Sequence, residues 1–368
     1  MMKQFSQLLF VLCVVTLLSG CGKDTSVISL AGQWEFALDS TDVGVSEQWY
    51  EHSLEHSIQL PGTTDMAGYG VPCDLEPSIS KPQILHLTRK NRYVGPAWYA
   101  RGVVIPSEWN GKNIELKLER VIWQTRVWVD GKEVGEAQES LVAPHCYNLT
   151  DYLPVGKHRI VIRVDNSKRY DISTGDMAHA YTDHTQIIWN GILGEISLTA
   201  HDNVFLKNIQ VYPDIENRQI RVKGRVVNTG AGMEGQLSTK VRRQGHSNCV
   251  SGQDNLLQVP SGETELDFLI PMGDDIVCWS EFTPELYELD LKLTAGDNLA
   301  KESVSFGMRR IPADRSSLLI NGRSLFLRGT LECCVFPLTG CPPTTEEEWT
   351  KVFTSAREWG LNHLRFHS

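Results

Sequence analysis

From Gly32 to about Asp202 the chain repeats with a period of two. Ile114, Leu116 and Leu118 alternate with Glu115, Lys117 and Glu119, and Ile160, Ile162 and Val164 alternate with Val161 and Arg163. A half-buried antiparallel strand requires this pattern, because successive side chains leave opposite faces of a sheet. Asp130-Gly131 separates Arg126-Val127-Trp128-Val129 from Lys132-Glu133-Val134, a strong hairpin signal. Many short strands, frequent turn residues and no convincing amphipathic helix predict a β-sandwich of jelly-roll type over residues 32–202.

A second strand-rich block covers residues 203–311. Its candidate strands are Phe205 to Val211, Gln219 to Val227, Gln236 to Val241, Leu266 to Ile270, Tyr287 to Leu293 and Glu302 to Phe306. Six or seven strands in roughly a hundred residues match an immunoglobulin-like sandwich. The antibody-type Cys–Trp–Cys arrangement is missing, so only the architecture is expected.

Residues 312–368 follow a different pattern. Ser324 to Gly329 reads as a buried strand, and a loop rich in Pro and Cys comes next. Thr344 and Glu347 fit a capping box just after Pro342 and Pro343. Trp349, Val352, Phe353, Ala356 and Trp359 would then line one helical face, with Gly360 as terminator. Leu361 to Phe366 begins another strand. This is one β-α-β unit, and Leu318 to Ser368 is too short for a (β/α)8 barrel of about 250 residues. It is expected to be the opening fragment of a TIM barrel.

The first twenty residues differ from everything after them. Lys3 gives a small positive start, and Leu8 to Leu18 is apolar apart from Thr16. That run suits a signal-peptide core and is too short for a membrane-spanning helix. Leu18-Ser19-Gly20-Cys21 resembles the bacterial lipobox, which implies a signal peptide over 1–20, lipidation at Cys21 and a tether over 21–31. A plain secretory signal is the alternative. An acylated Cys21 would hold the protein on the membrane of the bacterial cell envelope; no later segment is apolar enough to span one.

The cysteines after Cys21 are Cys73, Cys146, Cys249, Cys278, Cys333, Cys334 and Cys341, an odd set that leaves at least one thiol unpaired within the chain. Cys249 with Cys278 is the least implausible bridge, and scattered buried thiols are the plainer reading. No C-x-x-C metal knuckle occurs, and neither a metal nor a cofactor is expected. The formal net charge of -10, with no basic stripe, argues against a nucleic-acid partner. An oligomer is left open.

Several stretches, taken in order, resemble glycoside hydrolase family 2, which includes β-galactosidases, β-glucuronidases and β-mannosidases. Leu60-Pro61-Gly62-Thr63-Thr64-Asp65 and Gly95-Pro96-Ala97-Trp98-Tyr99 are similar to early signatures of its sugar-binding domain. Trp123 to Gly131 resembles its central hairpin, and Asp183-His184-Thr185-Gln186 with Trp189-Asn190-Gly191-Ile192-Leu193-Gly194 resembles the segment closing that domain. Trp279-Ser280 with Pro284-Glu285-Leu286-Tyr287 is similar to the family's W-S-x-x-x-P-x-L-Y segment. Phe306-Gly307-Met308-Arg309-Arg310-Ile311 and Leu319 to Arg323 look like its approach to the barrel. Leu327-Arg328-Gly329 and Gly360 to Arg365 look like the first two barrel strands.

The resemblance implies an exo-β-glycosidase acting on an oligosaccharide or β-glycoside with retention. Retention needs two carboxyl groups about 5–5.5 Å apart, and in the family both are glutamates on later barrel strands. No residue here is therefore assigned a catalytic role, and the chain by itself is expected to be inactive. Glu332 and Glu281 are available acids, each read as an ordinary surface or loop carboxylate. Arg365 matches the family's N-x-x-R arginine, which implies contact with sugar; the alternative is an arginine paired inside the barrel. His367 stands two residues after Arg365, where many relatives carry a histidine three after it. Asp183 and His184 lie in the loop that resembles one reaching the barrel mouth, and an ordinary turn role stands against sugar contact. Glu332-Cys333-Cys334 replaces a histidine-containing stretch of well-known β-galactosidases. Trp34, Trp123 and Trp128 are read as core residues. Two other readings remain: a glycan-binding surface lipoprotein without catalysis, and an inactive truncated product.

Overall fold

The computed structural model describes residues 26–73, 90–170, 189–312, 317–332 and 343–366. The chain builds two antiparallel sandwiches and then a parallel strand pair with a helix between its members.

The first sandwich packs a four-stranded sheet on a larger one. Val27–Ser29, Ile196–His201, Asn113–Leu118 and His145–Asn148 lie side by side in the smaller sheet. Val27–Ser29 pairs with Ile196–His201, so the sandwich already includes residues that the sequence assigns to a tether ending at 31. The larger sheet runs Lys132–Glu133, Trp123–Val129, Gly156–Asp165, Pro96–Ile105, Gly32–Leu38 and His56–Leu60, with Gln138–Ser140 also pairing on Trp123–Val129. Ile114, Leu116 and Leu118 face Trp34, Phe36, Val127, Ile160 and Ile162 in one core. Asp130 and Gly131 have φ of 48° and 80°, as a tight turn of type I′ requires.

The alternation expected at Ile160–Val164 is incomplete, because Val161 and Arg163 are buried too. Residues 39–55 cross the outer face of the larger sheet as a strap. Val45, Trp49, Tyr50 and Leu54 cover Trp98, Ala100, Trp128 and Val161. Asp39 anchors the strap: its carboxylate accepts from the Val43 and Gly44 amides at 2.8 and 2.9 Å and from Trp98 Nε1 at 2.9 Å. Arg163 Nη2 reaches Asp42 at 2.7 Å and Asp165 at 3.3 Å, which pairs its buried charge. Trp34, Trp123 and Trp128 are all buried, as their strand positions imply.

The second sandwich has seven strands. Val204–Asp214, Gln219–Asn228 and Gly262–Pro271 form one sheet; Cys249–Val259, Met233–Arg243, Tyr287–Ala295 and Asn298–Phe306 form the other. Val222, Ile220 and Ile270 meet Leu237, Leu289, Leu291 and Leu293 between them. Cys249–Val259 has no counterpart among the strands expected from sequence. It is a sheet-edge strand in which only Val259 is buried and Leu256 points to solvent, so its apolar positions do not mark a core face. Cys249 and Cys278 are both free thiols, so the bridge considered between them does not form. The sandwiches are joined by Asn113 Nδ2, which donates to Thr229 Oγ1 at 3.1 Å, and by Lys207 Nζ, which lies 3.2 Å from Glu115 Oε2.

After the second sandwich, Leu319–Ile320 and Arg323–Ser324 form a hairpin around Asn321-Gly322. The buried strand expected from Ser324 is thus displaced: Ser324 closes the hairpin, and the first parallel strand is Gly329–Glu332. The helix spans Glu346–Glu358 and the second strand His363–Phe366.

Candidate functional site

The parallel pair is where Arg365 is presented. Gly329 pairs with His363 and Leu331 with Arg365. The helix begins on Thr345, whose hydroxyl accepts from the Glu348 amide at 3.3 Å and donates to its carboxylate at 2.9 Å. The expected Thr-x-x-Glu cap is thus moved on by one residue, with the Glu348 carboxylate taking the Thr345 hydroxyl in place of its backbone amide. At the other end Gly360 has φ of 74°; its amide donates to Arg357 and that of Leu361 to Ala356, a Schellman closure. Trp349, Val352 and Ala356 are half-buried, whereas Phe353 and Trp359 of the expected apolar face are exposed, Trp359 by 84%.

Trp349 meets the edge of Phe366 at 5.5 Å, so Phe366 faces the helix. Strand alternation then places Arg365 on the opposite face, at the C-terminal end of its strand. Active sites of parallel barrels gather at that end. The Arg365 side chain is exposed, and no ion pair holds it among the described residues. A free guanidinium can fork onto hydroxyl or carboxylate oxygens. Glu332, the last residue of the first strand, sits in register with Phe366.

Glu281 is at the other end of the pair. It belongs to the second sandwich, yet its carboxylate accepts from Asn362 Nδ2 and lies 3.9 Å from the Arg328 guanidinium. It is a junction residue, not a loose surface carboxylate. Sequence reasoning passed over Asn362 and Arg328 as mere strand positions, because their partners lie far away along the chain. A cavity of about 600 Å3 opens beside this junction, lined by Trp279, Phe282, Phe353, Leu361 and Leu364 among others. Arg365 does not line it.

The stretches similar to family signatures are mostly devices that hold the scaffold. Asn190 donates from Nδ2 to the Gly95 and Val164 carbonyls at 2.8 and 3.2 Å and accepts from the Tyr99 hydroxyl. Its carbonyl receives the Thr64 amide, and Gly62–Thr63 pairs with Gly191–Ile192. A Cβ on Gly191 would lie 2.3 Å from the Gly62 carbonyl oxygen, which explains the glycine. In the second sandwich Trp279 packs against Gly307, with the Arg309 guanidinium 4.9 Å from its ring, and its carbonyl accepts from Asn321 at 2.9 Å.

Asp183 and His184 lie outside the described residues, as do His367 and Cys21. On either side of the segment carrying Asp183 and His184, Trp123 meets Tyr170 edge-on at 5.9 Å, and Trp189 packs on the Ile122–Trp123 cluster. Tyr170 and then Gln124 donate to Glu139, holding its carboxyl below the usual carboxylate range. Among the described residues no three His, Cys, Asp or Glu side chains gather as a metal site.

The sugar binding domain pattern of glycosyl hydrolases family 2 matches residues 27–201, and a second pattern of glycosyl hydrolases family 2 matches residues 204–309. A β-galactosidase of Oenococcus oeni is 24% identical over 84% of this chain and 30% of its own length. A β-galactosidase large subunit of Latilactobacillus sakei is 24% identical over 87% of this chain and 52% of its own. A Bacteroides uniformis β-glucuronidase superposes with a TM-score of 0.73 at 19% identity, covering 93% of this chain and 39% of that one. The chain thus spans about a third to a half of these proteins.

Proposed function

The chain belongs to glycosyl hydrolase family 2, and from that premise we propose that it forms the sugar-binding front of a retaining exo-β-glycosidase and does not complete the reaction alone. The observation that carries this reading is Arg365, exposed and without an ion pair among the described residues, at the C-terminal end of a parallel pair that follows two family sandwiches. Its guanidinium would bind a hydroxyl or carboxylate of a β-glycoside, with Asp183, His184 and His367 as further contacts.

The two available acids do not supply the chemistry. Glu281 is engaged before the first residues of the pair, whereas Glu332 lies three residues beyond Gly329, about 10 Å along a strand. A retaining pair needs carboxyl groups about 5–5.5 Å apart. The purified chain should therefore bind 4-nitrophenyl β-D-galactoside or β-D-glucuronide without releasing 4-nitrophenol. Release that disappears in Arg365→Ala would overturn the reading.

Leu18-Ser19-Gly20-Cys21 favours export and anchoring through acylated Cys21 to the cell envelope. Cys21→Ala should move the protein from the detergent phase to the aqueous phase of a Triton X-114 partition. An unaltered partition would remove the anchor. A purely glycan-binding role is separated by calorimetry against oligosaccharides, since it requires binding to long glycans that exceeds binding to the monosaccharide glycosides.

A further inference from the structure

One amide organises the meeting of the second sandwich and the parallel pair. Asn362 Oδ1 accepts from the Arg328 backbone amide at 2.8 Å, and the Asn362 amide donates to the Arg328 carbonyl at 2.9 Å. Its Nδ2 serves the Phe326 carbonyl at 3.1 Å and the Glu281 carboxylate. Every polar group of the side chain is used. Arg328 closes the ring, with Nε donating to the Gly360 carbonyl at 2.8 Å and the guanidinium 3.9 Å from Glu281.

These bonds lie one residue before the Gly329–His363 pairing, where a parallel ladder begins. A slip of one residue would leave them unmade and would turn Arg365 onto the helix-facing side, because strand side chains alternate. The Glu281 side chain is 20% exposed. Its hydrogen bond to the amide is charge-assisted, while the longer, half-exposed pairing with Arg328 is weak.

We propose that Glu281 is a positioning residue: through Asn362 and Arg328 it fixes the register of His363–Phe366, and hence the face on which Arg365 is presented. The proposal rests on the glycoside reading only for what Arg365 binds. The second sandwich is then a template for the start of the barrel, acting through the contacts of Glu281 with Asn362 and Arg328.

Amide hydrogen exchange of the full chain, read by mass spectrometry, tests this. Peptides covering Gly329–Glu332 and His363–Phe366 report the pair, and a peptide covering Tyr287–Ala295 reports the sandwich. Glu281→Ala should speed exchange of both strand peptides on the order of 10–100-fold and leave the sandwich peptide unchanged. Glu281→Gln keeps an acceptor and should stay within about threefold of the parent. Asn362→Asp sets like charges together and should exchange as fast as Glu281→Ala. Combining Glu281→Gln with Asn362→Asp lets the new amide donate to the new carboxylate, and should recover about tenfold of that loss.

Unchanged strand exchange in Glu281→Ala would overturn the proposal. So would equal acceleration in Glu281→Ala and Glu281→Gln, equal acceleration of the sandwich peptide, or no recovery in the double variant. A chain that shows the expected exchange but binds no 4-nitrophenyl β-glycoside keeps the positioning role and loses the glycoside reading.

Discussion

The hydroxyl of Tyr99 donates to Asn190 Oδ1 across 2.7 Å, and both side chains are fully buried. That bond ties Pro96–Ile105 to the segment entering Gly191–Ile192, ninety-one residues later. Tyr99→Phe leaves the Asn190 oxygen dry and unpaired, which costs about 1–3 kcal/mol. Urea unfolding followed by tryptophan fluorescence should show the lower midpoint. Asn190→Ala removes the whole hub and should cost more than Tyr99→Phe.

Gly44 gives a second, sharper test of the first sandwich. A Cβ there would lie 2.5 Å from Trp98 Nε1 and 2.7 Å from Asp39 Oδ2, two atoms already bonded to each other. Gly44→Ala must therefore shift the strap, and overpacking of this kind costs about 1–3 kcal/mol. Near-ultraviolet circular dichroism should change with it, since Trp98 lies 5.0 Å from Trp128 and Tyr50 stacks on Trp128 at 5.2 Å.

Acid should loosen the first sandwich before its carboxylates titrate. Burial pushes the His145 and His201 imidazoles below their ordinary value of 6.5. A depressed imidazole binds its proton in the unfolded chain first, so stability is full above about pH 6.5 and falls as the pH drops through that value. Each tenfold bias against an imidazolium is worth about 1.4 kcal/mol. His145→Gln should flatten the slope of unfolding free energy between pH 7 and pH 5. An unchanged slope would assign the acid response elsewhere. The depressed carboxyls of Glu195 in this sandwich and of Asp214 in the second also lose stability on acidification, but below this window.

Arg365→Ala should separate binding from folding. The side chain is exposed, so its loss should move stability by no more than about 0.5 kcal/mol. Affinity for a 4-nitrophenyl β-glycoside should drop about 10–100-fold, the usual effect of deleting a charged hydrogen-bond donor. Arg365→Lys should recover part of it, because the ammonium lacks the planar fork.

How much of this was legible in sequence depended on range. Local signals read well: the Ile114–Leu118 alternation, the Asp130-Gly131 turn and the Gly360 stop are all where their chemistry puts them. The capping box missed by one because Thr344–Glu347 and Thr345–Glu348 satisfy the same spacing, and only the backbone distinguishes them. Gly329–Glu332 began later than expected because Asn321-Gly322 spends Ser324 on a hairpin. Val161 and Arg163 read as solvent-facing because nothing near them shows that residues 39–55 lie across them. Asn190, Asn362 and Glu281 were hidden for the same reason. Their partners are 24 to 95 residues away, and polar side chains carry no periodicity.

The strap also settles what the larger sheet has left to offer. Without it, Trp98 and Trp128 would form an aromatic plateau on the outer face of that sheet. With Trp49, Tyr50 and Leu54 seated on them, that plateau is roofed. What the domain leaves open there is its rim, where the strand ends and the Tyr170 and Trp189 flanks stand. A rim is made of loops, and loops can be exchanged without rebuilding the sandwich beneath them.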